Sequence, residues 1–244
     1  MISKTTRVFL ALSGLLAVTA LPAAAQHHRY SSRRYSPERD GEFRIHVGSF
    51  RPDGKSDYFS GIRQDFTGAE PNDFEDANFG LDYLMPLSGR LSLMFSGSVY
   101  QGNTTNAYRD FADNFGNRIR HDTTLDIASV TAGLVLHLTG PDTAIQPYIG
   151  AGGGAYPWRL KESGDFIDFG PASHPVFSAD LKSDGTAFGY YFLGGIEAPI
   201  SRRVSLFAEG RWTRVDDDLQ GDFEGFGKLD LSGREIAAGL SWSL

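Results

Sequence analysis

The most constraining stretch of the chain is Thr186–Val215, where two runs of alternating character meet at the turn Ser201-Arg202-Arg203. In the first run Phe188, Tyr190, Phe192, Ile196, Ala198 and Ile200 share one parity, and Gly189, Tyr191, Gly195 and Glu197 share the other. In the second, Val204, Leu206, Ala208, Gly210 and Trp212 alternate with Ser205, Phe207, Glu209, Arg211 and Thr213. Successive side chains of a strand point to opposite faces, so a period of two predicts a hairpin. One face is broadly apolar; the other carries glycine and charge. A soluble sheet buries the apolar face. A membrane barrel turns it out to lipid and points the polar face into its lumen.

The rest of the chain decides between them. The same alternation marks strands at 42–50, 77–87, 91–101, 123–138, 145–158 and 229–244. The connections alternate in length: long at 51–76, 102–122, 159–185 and 216–228, short at 88–90, 139–144 and 201–203. In an antiparallel meander every second connection lies at the same end, so all short turns share one rim and all long segments the other. Outer-membrane barrels have this asymmetry, with short periplasmic turns, long extracellular loops and an even strand number from eight upwards. The expected fold is therefore all-β, a closed antiparallel up-and-down transmembrane barrel of eight strands. Tyr83, Trp158, Trp212 and Trp242 lie near strand ends, where interfacial aromatic girdles are found.

The N-terminus agrees with export. Lys4 and Arg7 precede the apolar run Val8–Ala20, and Ala23-Ala24-Ala25 supplies small residues for cleavage before Gln26. Residues 1–25 read as a signal peptide, 26–41 as a disordered basic periplasmic tail and 42–244 as the barrel domain. The apolar run is shorter than the ~20 residues of a spanning helix. Loss of Lys4 and Arg7 takes the formal charge from −7 to −9. That acidity, with no basic stripe outside the tail, argues against nucleic-acid binding. The chain has no cysteine, which removes disulfides and thiol chemistry.

The signal peptide, PYIGAGGGAY at 147–156, GYYFLGGIEAPISRRVSLFAEGRW at 189–212 and the closing IAAGLSWSL together resemble the small outer-membrane β-barrel family of OmpA-like and OmpW-like transmembrane domains. The resemblance covers residues 42–244. It implies contact with outer-membrane lipid and lipopolysaccharide, and recognition of the last strand by the outer-membrane assembly machinery. The chain ends in Leu244 where the family usually ends in an aromatic, with Trp242 two residues before. The resemblance is to the barrel domain, so the peptidoglycan-tethering role of full-length OmpA is not expected here.

On the parity assigned to the interior lie Arg44, His46, Asp82, Asp126, His137, Glu197, Glu209, Arg211 and Glu235. A narrow eight-stranded barrel is just filled by side chains, and charges inside it must pair. Pairing about the 201–203 turn sets Glu197 opposite Phe207 and Gly195 opposite Glu209. The expectation is a structural polar network of Arg44, His46, Asp82, Glu197, Glu209, Arg211 and Glu235 in a non-enzymatic barrel that acts by its presence or its loops. The alternatives are a narrow pore for ions or small solutes, and a lipid A-modifying, deacylase-like enzyme. For the latter, His46, His121, His137 and His174 show no motif pairing them with a nucleophile, and His121 falls beside Asp122 in the second long loop. No cofactor or metal is expected: His27-His28 lie in the tail, and the acids at 73–76 and 216–218 lack calcium-loop spacing and read as solvated loop tips.

Overall fold

The computed structural model describes residues 41–244 apart from Ala69, Asn114 and Ala172. The proposed signal peptide and all but the last residue of the proposed tail lie outside the described residues. Eight antiparallel strands form the barrel: β1 (Glu42–Pro52), β2 (Asp76–Pro86), β3 (Leu91–Ala112), β4 (Arg118–His137), β5 (Gln146–Ile167), β6 (Val176–Pro199), β7 (Val204–Arg214) and β8 (Gly233–Ser243). Each pairs with its neighbour in sequence, and β8 closes on β1 with Phe43 opposite Trp242 and Ile45 opposite Leu240. At the short-turn rim Leu244 N donates to Gly41 O, so both ends of the barrel chain meet there.

Alternation becomes two surfaces. Phe43, Ile45 and Val47 of β1, Phe79 and Leu81 of β2, Val130 and Leu134 of β4, Phe188 and Phe192 of β6, and Ile236 of β8 are all exposed on the outside. A belt of this size, with Phe188 at 79% and Ile236 at 78% exposure, is a surface for lipid rather than water. No helix of the described residues is long and apolar enough to cross a membrane; the crossing is made by strands.

Strand length divides the barrel in two. β1, β2, β7 and β8 have 11 residues each, about what a tilted transmembrane strand needs. β3, β4, β5 and β6 have 22, 20, 22 and 24. Their surplus projects beyond the belt as a four-stranded blade. The segments 102–122 and 159–185, expected to be loops, are thus mostly strand, with tips only at 113–117 and 168–175. Hydrophobic period fails as a signal there because no lipid lies against the outer face.

The segment 51–76 also differs from a plain loop. It contains helix α1 (Asp57–Asp65) and a single 3-10 turn at Pro71–Phe74. The helix begins at Ser56, carries Asp57 in its first turn and Arg63 in its last, and so matches its own dipole. Tyr58, Phe59 and Ile62 form its buried face. The segment 216–228 starts a small ladder, Asp216–Asp218 against Lys228–Asp230, so the last barrel strand begins at Gly233, later than the expected residue 229.

Two placements correct the sequence reading. Asp126 shares the outward parity of Val130 and accepts from Gln101 Nε2 at 2.6 Å outside the barrel. Trp158, expected in an interfacial girdle, is 4% exposed and points inward, where its Nε1 donates to Asp217 Oδ2 at 2.7 Å. Trp212 and Trp242 do face outward.

Candidate functional site

Among the described residues the lumen concentrates buried charge. Arg44, His46, Asp82, Glu197, Glu209, Arg211 and Glu235 are all buried there. They come from β1, β2, β6, β7 and β8, each at an inward position of its strand. The predicted register about the 201–203 turn holds, with Glu197 opposite Phe207 and Gly195 opposite Glu209.

Two arginines organise this ionic layer. Nearer the short turns, Arg44 Nη2 donates to Glu197 Oε2 at 2.6 Å and Arg44 Nε donates to Glu42. Its guanidinium lies 4.9 Å from the ring centres of both Tyr148 and Phe207. Ser241 Oγ supplies a second donor to Glu197, at 3.1 Å. Further up, Arg211 Nη2 donates to Glu209 Oε1 at 3.1 Å and Nη1 to Ser96 Oγ at 3.3 Å. The guanidinium is 3.9 Å from Asp82 Oδ1 and lies over the Tyr191 ring. Tyr148 Oη donates to Glu209 Oε2 at 3.1 Å and so links the two centres. His46 sits between carboxylates, with Nδ1 3.3 Å from Asp82 Oδ2 and Nε2 3.8 Å from Glu235 Oε1. A charge taken out of water costs several kcal/mol unless paired, and these contacts supply the pairing.

Glycines make room for this layer. A Cβ on Gly80 would stand 2.2 Å from His46 Nε2, and one on Gly195 2.5 Å from the Tyr148 ring. Gly133 and Gly152 clear the Tyr191 hydroxyl in the same way. The glycine-dense stretch at 150–154 is therefore the small side of a large-to-small packing across the lumen.

Above the ionic layer lies an aromatic cap. Phe59 and Ile62 of α1 pack with Phe50, Phe74, Leu125, Trp158, Leu229 and Leu231 into one buried cluster. Phe59, Phe74, Leu125 and Leu229 are fully buried. Tyr100 Oη donates to Phe74 O, pinning the 3-10 turn to the barrel wall. Between cap and ionic layer is a cavity of about 40 Å³, lined in part by Asn78, Ser98, Ser129, Arg211 and Glu235. That is room for water, not for a larger solute.

A second polar group lies in the blade, above the lipid belt. His121 is on β4 rather than in a loop, and its ring stacks on Phe166 at 4.8 Å and meets Phe66 edge-on at 4.7 Å. Its Nε2 is 3.4 Å from Asn106 Nδ2 and 3.9 Å from Glu162 Oε2. Tyr58 Oη donates to Glu162 Oε1 at 2.5 Å. Burial pushes the His121 pKa down to about 4 and the Glu162 carboxyl up from its ordinary value. His137 lies in the lumen beside Tyr148, and His174 at the blade tip against Phe111 and Phe169.

The acidic loop residues have protein partners. Glu75 accepts from Ser49 Oγ, Asp217 from Trp158, and Asp216 meets Lys228 at 2.6 Å. Among the described residues no group of three or more His, Cys, Asp or Glu is arranged to hold a metal ion. Glu42, Tyr148, Tyr191 and Phe207, each at an inward parity, join the expected residues as lumen partners, and the cap has no counterpart in the sequence pattern.

Solved structures share this architecture. OprG from Pseudomonas aeruginosa superposes with a TM-score of 0.51 at 13% identity, over 86% of this chain and 99% of that one. The fold is that of a small outer-membrane β-barrel. Neisserial surface protein A follows with a TM-score of 0.48 at 13% identity, over 84% and 96% of the two chains. Ail of Yersinia pestis gives 0.41 at 16% identity, over 85% and 99%. At such identities the likeness is one of fold alone. No family model and no curated protein sequence matches the chain.

Proposed function

We propose that this protein is a non-enzymatic barrel of the outer membrane with a sealed lumen, acting through its outer surface and the blade of β3–β6. The observation that carries this reading is the double filling of the lumen. A layer of buried ion pairs around Arg44 and Arg211 lies beneath a cluster of buried aromatic and aliphatic side chains contributed by the loops and the barrel wall together. Conduction of ions needs a continuous wet path, and each layer interrupts it. Planar-bilayer recording of the purified protein tests this: silence is expected, and steady unitary conductance favours the narrow pore instead.

The enzymatic alternative needs a nucleophile and base held near the outer rim. The described histidines pack against aromatic rings or carboxylates, and His121 is enclosed between Phe66 and Phe166. Mass spectrometry of lipid A from cells with and without the protein is expected to give identical spectra; a lost or added acyl chain overturns the non-enzymatic reading. Fractionation and migration on unboiled gels test the membrane assignment. A faster-running band in the outer-membrane fraction that shifts on boiling is the expected result.

A further inference from the structure

Three of the four short strands carry arginine at the outer rim. Arg51 is the penultimate residue of β1, Arg234 the second of β8 and Arg214 the last of β7. All three are exposed and outward. On the same strands and the same face lie belt residues: Ile236 at 78% and Trp212 at 51% exposure, two residues from Arg234 and Arg214, and Val47 at 50%, four residues from Arg51. Two residues of strand span about 7 Å, so the guanidinium groups of Arg234 and Arg214 stand where lipid tails give way to headgroups.

Their arrangement is unfavourable in isolation. Arg51 and Arg234 are direct cross-strand partners. Like charges directly opposite each other on one face destabilise a sheet. Asp53 contacts Arg214 Nη1 and lies 3.6 Å from Arg234 Nε, so one carboxylate serves two arginines. Arg51 has no ion-pair partner among the described residues, and nearby Glu75 accepts from Ser49 Oγ. On the opposite flank Arg159 is registered between Asp126 on β4 and Asp184 on β6, while Lys161, registered opposite Lys182, lies 3.4 Å from Asp180.

We propose that Arg51, Arg234 and Arg214 form a binding site for the phosphate of an anionic lipid headgroup in the leaflet that meets the long-loop rim. Guanidinium groups bind phosphate through paired, charge-assisted hydrogen bonds. A phosphate between Arg51 and Arg234 converts their repulsion into two attractions. Tyr190, opposite Arg214 in register and 53% exposed, flanks the site with a phenol at interfacial height. Asp53 holds Arg214 and Arg234 in place, which lowers the ordering cost of binding.

This inference rests on the membrane-embedded reading, and its test separates the two. The whole chain is folded into phosphatidylcholine vesicles doped with diphosphoryl lipid A, and retained lipid is counted by native mass spectrometry. Retention of the doped lipid is expected, with a fall of about tenfold or more in Arg51→Glu/Arg234→Glu. Arg118→Glu/Arg120→Glu, the same charge change on the blade, is expected to retain it. Equal retention in all three proteins, or equal loss in both variants, overturns the site. Displacement of the lipid by inorganic phosphate at matched concentration overturns its assignment to a headgroup. Failure to enter undoped vesicles overturns the membrane reading and the site with it.

Discussion

The ionic layer and the aromatic cap close the same lumen by different physics. The ionic layer is built wholly from barrel strands, with Arg44 and Arg211 held by carboxylates fixed on rigid neighbours. The cap is built from a nine-residue helix, a 3-10 turn and the 219–231 segment, closing on barrel-wall residues such as Leu125 and Trp158. Removing half of a buried ion pair leaves a charge with nowhere to go, whereas removing one ring from a cap leaves a gap that loops can partly fill. The lower seal is therefore expected to be part of the barrel's own cooperative stability, and the upper one to open separately.

Breaking Arg44 is the harshest test. Arg44→Leu strands Glu42 and Glu197 in the lumen and is expected to cost about 3–5 kcal/mol, read as a lower urea midpoint for loss of the fast-migrating band. In the cap, Phe59→Ala is expected to cost about 3 kcal/mol locally, seen as faster protease cleavage within 51–76 with little change in the barrel's unfolding midpoint. A shared midpoint shift for both variants would collapse the distinction between the two seals. Neither single variant is expected to conduct, while the double variant gives measurable bilayer conductance.

Packing between the layers sets a smaller effect. A Cβ at Gly152 would lie 2.3 Å from Ala132 O and 2.6 Å from the Tyr191 hydroxyl. Gly152→Ala is expected to cost about 1–3 kcal/mol in the same urea assay.

Acid sharpens the contrast in another way. The buried His121 favours its neutral form, with a pKa near 4 against an ordinary 6.5. As pH falls from about 6.5 towards 4, the unfolded chain takes up this proton first, so folded stability declines across that window. Glu162 has the opposite sign, because burial raises its pKa and its protonation favours the folded state. His121→Phe keeps an aromatic ring against Phe166 and removes the titrating imidazole, together with its contacts to Asn106 and Glu162. Its blade and cap are expected to resist protease at pH 5 better than the wild type, relative to each protein at pH 7.5. The smallest change is expected at Lys228, whose ion pair with Asp216 is more than half exposed on both sides. Lys228→Ala is expected to leave the urea midpoint essentially unchanged.

The two seals also differ in how far sequence revealed them. Inward parity identified Arg44, His46, Asp82, Glu197, Glu209, Arg211 and Glu235, because a strand's backbone fixes on which face each residue falls. It did not identify their partners. Arg44 and Glu197 are 153 residues apart and meet only after β8 has closed on β1. The cap left no trace, since Phe59, Phe74 and Phe223 sit in segments with no sustained period to interpret, and Leu229, expected to open the last strand, lies instead in the small ladder at Lys228–Asp230. Trp158 was misplaced for a related reason: its position near a strand end suggested a girdle, while its even number on β5 pointed it inward beside Tyr156.

By itself, then, the sequence determined the barrel, its eight strands, the shared rim of its short turns and the division of each transmembrane strand into a lipid face and a lumen face. These follow from a period of two and from the lengths of the gaps between periods, both local properties of an extended chain. Closure of the ring decided the rest. It chose the ion pairs across the lumen, carried β3–β6 about ten residues beyond the belt, folded α1 over the mouth and set Arg51 opposite Arg234. Contacts of that kind depend on which distant segments are brought face to face, and no local pattern carries that information.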